Sequence, residues 1–295
     1  TSDQVDAENT DSTTITAVGS DGFTLGTSAN LNGSSVNYVA WQWKANGGSR
    51  TTFTESGNNP AGGYQANTTA GFSIVDYTGT GALGTIAHGL GVAPTVLLVK
   101  GRDDGHAWIV KHQTGAGNPV LILNATDAAS SGSSEFNNTA PTSSVFTVNS
   151  AGGTNNDGQK YIAYCFAPIQ GYSKFGKYTA NGNSNGPFVY TGFKPAWVMV
   201  KSSSMSNSET NWVIWDNKRN GYNPNVQVFA NQNFTEGRRD DNGADAISEL
   251  DILSNGFKHR DSTWAQNGSS GDTYIYMAFA ESPFVSSEGV PTTAR

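Results

Sequence analysis

A tryptophan in a polar stretch near the C-terminal end is the residue best suited to hold a ligand. Trp264 follows His259 and Arg260 and precedes Asn267, in a segment rich in amides and glycine. An exposed ring flanked by charged and amide groups can stack on a sugar while its neighbours bond to the hydroxyls. A loop tryptophan more often packs onto its own domain, and that alternative stays open. Trp264, Arg260 and His259 are therefore candidate ligand-binding residues.

Two arginines and a group of acids form a second candidate region. Arg238 and Arg239 could contact an acidic glycan, although two adjacent charges are usually a solvated face. The acids that follow, Asp240, Asp241 and Asp245, superficially resemble an oxygen-rich calcium loop. They lack the distal bidentate glutamate that such a loop requires, and Asp, Asn and Gly are also ordinary turn residues. These three acids are a weak metal candidate, and the sequence predicts neither a metal nor a cofactor.

The residues that could support covalent catalysis do not form a motif. The only cysteine, Cys165, has a glutamine and an alanine at its counterparts in the repeats described below. Paired carboxylates for glycoside hydrolysis would usually arrive on a domain without a repeat partner, and none is visible. The histidines stand at isolated positions: His88, His106, His112 and His259. The chain is predicted to be non-enzymatic.

Composition indicates a turn-rich β protein. The 295 residues are 36% apolar and 14% charged, and they include 35 glycines. Asn, Ser and Gly offer the backbone alternatives to the helical ladder, while seven Trp, fourteen Phe and eleven Tyr supply core material. The net charge of −7 disfavours nucleic acid as a partner. The apolar runs are far too short to span a bilayer, so no membrane insertion is predicted.

The chain repeats itself. Residues 91–100 return as 192–201, and residues 161–167 return as 274–280, with three further matches in the same order. Fixed order with a growing offset indicates a duplicated domain with loop insertions. Short runs rich in β-branched and aromatic residues, separated by Gly, Asn and Ser, predict antiparallel β-sandwich modules.

A third, partial copy opens the chain, because residues 38–45 match the closing strand of each later unit. The simplest interpretation is the end of a module cut off upstream; the alternative is that these strands complete a neighbouring chain's sheet. The predicted boundaries are 1–45 for the partial repeat, 46–70 for a linker, 71–168 and 171–284 for the two sandwiches, and 285–295 for a C-terminal tail.

The closing strands are apolar on both faces. In the second unit Ile162, Tyr164 and Phe166 share one face, while Tyr161 and Cys165 lie on the other. A sheet covered on one side should instead alternate with polar residues. The second face should therefore be covered by another sheet, a neighbouring module or another chain. We expect a homo-oligomer, and analogy with fibres favours a homotrimer.

Several segments together resemble the repeated domain of uncharacterised virion and tail-fibre-like proteins of marine bacteriophages. They are residues 21–26, 38–45, 71–79, 88–94 and 186–193. The resemblance covers nearly the whole chain and implies a virion location, no catalytic residues, and an earlier unit of the same kind before residue 1. The strand pattern alone is also similar to the six-stranded sandwich of trimeric fibre tips and H-type lectins.

The sequence thus predicts a non-enzymatic phage structural protein, tail-fibre-like, exposed on the particle. Its expected partners are copies of itself, other virion proteins and a glycan of the host surface. One alternative is a capsid-decorating or cementing protein of the same fold. A second is a bacterial secreted adhesin or carbohydrate-binding module, and a third is a glycan depolymerase.

Overall fold

The computed structural model describes residues 1–45, 48–113, 118–219, 221–236 and 249–281. The predicted all-β, antiparallel fold class is confirmed. Helices in the described part are single turns, α1 Ala29–Asn32, α2 Ser133–Phe136 and α3 Gly152–Asn155, and none has the length that crossing a membrane requires. The strands are β1 Ile15–Val18, β2 Phe23–Leu25, β3 Thr51–Phe53, β4 Ala61–Asn67, β5 Phe72–Thr78, β6 Gly84–Ala87, β7 Val96–Gly101, β8 Ile109–His112, β9 Val120–Ile122, β10 Val145–Val148, β11 Lys160–Phe166, β12 Ser173–Thr179, β13 Phe188–Tyr190, β14 Trp197–Ser202, β15 Val213–Asp216, β16 Val228–Phe229, β17 Leu250–Leu253, β18 Gly256–His259 and β19 Thr273–Phe279.

Strands β3 to β11, which we call module 1, form a large sheet with a small sheet on one face. The large sheet has the order β3-β4-β5-β11-β7-β8-β9, and β6 pairs with β10. Tyr77, Val99 and Cys165 of the large sheet share a buried cluster with Ile86 and Phe146 of the small one. Because side chains alternate along a strand, the small sheet covers only this face of the large sheet.

Strands β12 to β19, module 2, repeat this plan. Their large sheet has the order β12-β19-β14-β15-β16, which matches β5-β11-β7-β8-β9 of module 1. A small sheet, β13-β18-β17, contributes Val189, Ile252 and Phe257 to a cluster with Tyr178 and Tyr276 of the large sheet. The two halves of the chain thus share the strand order that the repeated motifs imply.

The two large sheets pack against each other through their remaining faces. One buried cluster joins Val110 and Phe166 of module 1 to Met199, Ile214 and Phe279 of module 2. The apolar second face of each closing strand is therefore covered by the sister module of the same chain. The sequence left open whether a second sheet, a neighbouring module or another chain buries these faces. In the structure the small sheet buries one face of each closing strand, and the neighbouring module buries the other.

Polar contacts also tie the modules together at one end of the interface. The Lys201 Nζ of module 2 donates to the carbonyl oxygens of Thr126 and Asp127 at 3.2 and 2.9 Å, and to that of Ser202 at 2.7 Å. The Trp212 indole donates to the carbonyl of Ile122. Burial lowers the pKa of Lys201 to about 7, while the charge of Asp127 opposes that shift.

The prediction of a linker at residues 46–70 is wrong. This segment contains β3 and β4, and β4 pairs with all seven residues of β5. Its glycines misled the prediction, because glycine is normally rare inside strands. Here close approach requires it: a Cβ on Gly62 would lie 2.1 Å from the carbonyl oxygen of Asp76.

The expected closing strand at residues 38–45 is also absent. That segment contains no strand; instead Trp41 and Trp43 pack against the edge of the inter-module core. The Trp43 ring contacts the rings of Trp197 and Phe279, each at 5.4 Å between centroids. The alternating apolar residues that suggested a strand therefore belong to a segment without strand pairing, which packs against the core between the two modules.

Candidate functional site

The structure places Trp264 and Arg260 at the surface of module 2. Trp264 is 40% exposed, and its ring rests on Gly268, where a Cβ would lie 2.8 Å from the ring carbon Cε3. Arg260 is engaged by Asp251, whose Oδ2 accepts from its Nε at 2.5 Å. Trp264 thus packs onto its own loop, which is the alternative that the sequence left open.

His259 does not share that surface. It is fully buried, its ring stacks on Tyr178, and its Nδ1 lies 2.6 Å from the Oε1 of Gln266. Burial lowers the pKa of His259 to about 4, although the Gln266 contact opposes that shift. The expectation that His259 contacts a surface ligand is therefore wrong, because the ring belongs to the core of module 2.

Backbone around Trp264 has a structural role that module 1 reproduces. The Tyr274 hydroxyl donates to the carbonyl of Trp264 at 2.8 Å and accepts from the N–H of Gly268 at 3.0 Å. In module 1 the Tyr161 hydroxyl donates to the carbonyl of Gly152 at 2.6 Å in the same way. This conservation between the modules supports a packing role for the loop.

The remaining residues of the second candidate region, Arg238, Arg239, Asp240, Asp241 and Asp245, lie outside the described residues. Among the residues that the structure does describe, no group of three His, Cys, Asp or Glu side chains is placed to hold a metal ion. Cys165 is buried and unpaired, and burial raises the pKa of its thiol. A thiol held neutral in this way is a packing group.

An aromatic cleft lies at the opposite end of module 2, between residues 39–43 and the large sheet. Its volume is about 250 Å³. Trp41 and Trp197 meet edge to face with centroids 6.3 Å apart, and the rings of Tyr172 and Phe279 continue the wall. Small-molecule sites are typically concave and lined by aromatic side chains with a few polar groups, which describes this cleft.

Three polar groups of the cleft have no hydrogen-bond partner among the described residues. They are the indole nitrogens of Trp41 and Trp197 and the Oδ1 of Asn217, all shielded from solvent. A buried polar group without a partner costs free energy. The lining of the cleft therefore combines aromatic rings with polar groups that lack a partner among the described residues.

Charges at the rim of the cleft are already paired. The Lys218 Nζ lies 2.6 Å from the Oε1 of Glu281, and both side chains are exposed. Asp216 accepts from the backbone N–H and the Nε of Arg219. Burial raises the pKa of Asp216, but the hydrogen bonds from Arg219 and Lys218 outweigh it and hold that pKa below its usual value. This arrangement suits binding rather than proton transfer, which needs a carboxyl poised near neutral pH.

A second depression, of about 280 Å³, lies under the N-terminal segment on module 1. Trp108 and Tyr164 stack there at 6.3 Å between centroids. Glu8 covers the depression and binds Arg102 through both carboxylate oxygens, at 2.5 and 3.0 Å. Because the charged groups satisfy one another, this depression is a weaker candidate than the aromatic cleft.

Sequence reasoning missed the cleft although its signal was present. Trp41 and Trp43 align with Tyr164 and Phe166 of the closing strand, so they were assigned to a strand face. Trp197 stands where module 1 has Val96, a change that gives module 2 the extra ring facing Trp41. A tryptophan at a position where the other repeat has a smaller residue is the sequence signal that could have indicated a site.

One family's sequence model matches residues 1–283, and the family is described as a domain of unknown function, DUF7483. The chain belongs to this family. The DUF7483 match takes in the N-terminal segment, both modules and every residue that lines the aromatic cleft. No curated protein and no solved structure matches the chain.

Proposed function

We propose that the chain is a non-enzymatic surface protein of a bacteriophage particle, of tail-fibre type, and that the aromatic cleft holds a glycan of the host surface. The observation that carries the glycan part is the set of unpartnered polar groups, from Trp41, Trp197 and Asn217, in a cleft walled by rings. A sugar offers an apolar face for stacking and hydroxyls that both donate and accept.

The other parts of the proposal rest on different support. The virion location rests on the resemblance of the sequence motifs to virion and tail-fibre-like proteins. The absence of enzymatic activity is supported by the state of the carboxylates in the cleft: Asp216 is paired with Arg219, and Glu281 is paired with Lys218. Two glycosidase carboxyls would need different pKa values and access to the same glycosidic bond.

Binding to immobilised host-surface polysaccharides and a glycan array tests the proposal with the full chain. Trp41→Ala should lower affinity about ten-fold through lost stacking, and Asn217→Ala about two- to ten-fold through a lost hydrogen bond. Trp264→Ala is the matched control, because it removes an exposed tryptophan of module 2 outside the cleft. Thermal unfolding checks that each variant remains folded.

Two results would contradict the proposal. If Trp264→Ala abolishes binding while Trp41→Ala does not, the site lies at the loop and not in the cleft. If the wild-type chain releases reducing sugar from the bound polysaccharide, it is a depolymerase. Gold-labelled antibody on intact particles tests the location separately, and labelling of neither tail nor capsid would remove the virion part.

A further inference from the structure

Among the described residues, no strand covers the edge of module 2 that corresponds to the hairpin-covered edge of module 1. In module 1 the outer side of β5 is fully paired with β4, which in turn pairs with β3. In module 2 the equivalent strand, β12, pairs with β19, and no other described strand lies beside it. Only residues 167–172 separate β11 from β12, so the chain has no room there for an equivalent hairpin.

The hairpin of module 1 also covers the neighbouring small sheet. The backbone N–H and the hydroxyl of Thr85 in β6 both donate to the Oδ1 of Asn59, at 2.8 and 3.1 Å. In module 2 the equivalent strand, β13, has Phe188 and Tyr190 at the positions of Thr85 and Ala87, and they are 46% and 58% exposed. Two exposed aromatic side chains on the same face of an edge that no described strand covers are typical of a docking surface.

Backbone groups of β12 point outward at alternate residues. The backbone N–H of Ala280 donates to the carbonyl oxygen of Tyr172, and that of Ala180 donates to the carbonyl oxygen of Asp272. The backbone N–H and C=O groups of the even-numbered residues of β12 therefore point toward β19. By the alternation of antiparallel ladders, Phe175, Lys177 and Thr179 direct their N–H and C=O groups away from the sheet. These are the groups that an added strand would use.

Charge indicates what kind of strand would fit. In module 1 Asp76 of β5 binds Arg50, which precedes the hairpin, at 2.7 Å between Oδ1 and Nε. The equivalent residue of β12 is Lys177, because Tyr77 and Tyr178 both lie opposite the conserved tyrosine of the closing strand. Lys177 is exposed. A strand that pairs with β12 should therefore carry an acidic residue next to Lys177, just as the basic Arg50 lies next to Asp76 in module 1.

A second copy of the chain fits this edge poorly. Antiparallel pairing of two β12 strands centred on Lys177 would place the two exposed Lys177 side chains directly opposite each other, and like charges so placed are unfavourable. Lysines on edge strands commonly prevent such self-association. We propose that the β12–β13 edge of module 2 is a docking site for an extended acidic β-strand of a different protein chain.

Two synthetic peptides test this proposal. Both take residues 59–68, which include β4; one contains Gly63→Asp and the other Gly63→Lys. Gly63 lies opposite Asp76 in module 1, so the changed residue would face Lys177 in module 2. Each peptide is titrated into the ¹⁵N-labelled full chain, and amide shifts are followed by NMR.

The acidic peptide should shift the amides of Phe175, Lys177, Thr179 and Tyr190 and bind about five-fold tighter than the basic one. In the Lys177→Glu variant the order of the two peptides should reverse, because the charge on the protein side is reversed. Amides of β5 should not move, since β4 already covers them.

Several outcomes would overturn the proposal. Shifts absent from β12 with both peptides would mean that the lysines simply block the edge. Equal affinity for both peptides, or no reversal in Lys177→Glu, would mean that charge does not select the partner. Dimerisation through β12 in the full chain, measured by light scattering and lost on charge reversal at Lys177, would show that the occupant is a second copy.

Discussion

The indole N–H of Trp212 in module 2 donates a hydrogen bond of 2.9 Å to the carbonyl oxygen of Ile122 in module 1. Its counterpart, Trp108, instead donates to the carbonyl of Thr1 at 3.1 Å. Both backbone N–H groups are held alike, that of Trp212 by Asn231 and that of Trp108 by Asn124, at 2.9 Å. The two modules thus hold the same tryptophan in the same way, but its indole N–H bonds to the sister module in one case and to the N-terminal segment in the other.

This asymmetry predicts a difference between two matched substitutions. Trp212→Phe should lower the free energy of unfolding by about 2 kcal/mol or more, because it removes a hydrogen bond between the modules and leaves a cavity in the interface. Trp108→Phe should cost less than about 1 kcal/mol, since water can reach the partly exposed site. Urea unfolding measures both, and equal costs would contradict the assigned role of Trp212.

The sequence predicts the strands and their duplication well, because alternating side chains and repeated turn residues are local signals. It also predicts that both faces of the closing strands are buried. It does not predict what buries them, since sheet-to-sheet packing depends on contacts such as Phe166 with Phe279, far apart in the chain. With that face covered from within, the expected homotrimer remains a prediction supported only by its analogy with fibres.

The candidate site was harder to predict, for a physical reason. Trp264 stands out in a polar stretch, but its ring packs on Gly268. The cleft is instead formed by Trp41 and Trp197, which look like ordinary strand residues until an extended segment is brought against another module. His259 was misassigned because a histidine beside an arginine gives no local sign of burial.

Lys111 provides a test of electrostatics in the core. It stands where module 2 has Trp215, it is 1% exposed, and its Nζ lies over the Phe136 ring with no hydrogen-bond partner among the described residues. Burial lowers the pKa of Lys111 to about 8. Lys111→Met keeps the apolar stem and removes the charge, so it should raise the free energy of unfolding at pH 7 by about 1–3 kcal/mol.

The pH dependence of that gain follows from the lowered pKa. Between the folded pKa of about 8 and the ordinary lysine value of 10.5, the unfolded chain binds more protons, so the wild type gains stability as pH rises. The advantage of Lys111→Met should be full below pH 8 and nearly gone above 10.5. Lys160→Met makes the same change at an exposed lysine and is the control. A variant less stable than wild type at pH 7 would contradict the prediction.

The paired tyrosines of module 2 predict how two substitutions should rank in their cost to stability. Tyr178 and Tyr274 stack at 5.2 Å, and the Tyr178 hydroxyl donates to the carbonyl of Gln266, whereas that of Tyr274 bonds to two backbone groups. Tyr178→Phe should therefore cost about 1 kcal/mol and Tyr274→Phe about 2 kcal/mol. Thermal unfolding measures both variants. Because phenylalanine keeps the ring contacts, the two costs report the lost hydroxyl hydrogen bonds, and a reversed order would contradict this ranking.

The hairpin over β5 yields the last prediction. A Cβ on Gly62 would lie 2.1 Å from the carbonyl oxygen of Asp76 and 2.9 Å from the Cα of Tyr77, both on the backbone of β5. Because backbone cannot yield as a flexible side chain does, Gly62→Ala should push β4 from β5 and cost about 1–3 kcal/mol. Gly22→Ala is the control: a Cβ there has no neighbour within 4 Å, so its effect should stay within about 0.5 kcal/mol. Amide hydrogen exchange should show faster exchange in β4 and β5 of Gly62→Ala alone. Unchanged protection of these strands would mean that residues 61–67 do not pair as a strand in solution.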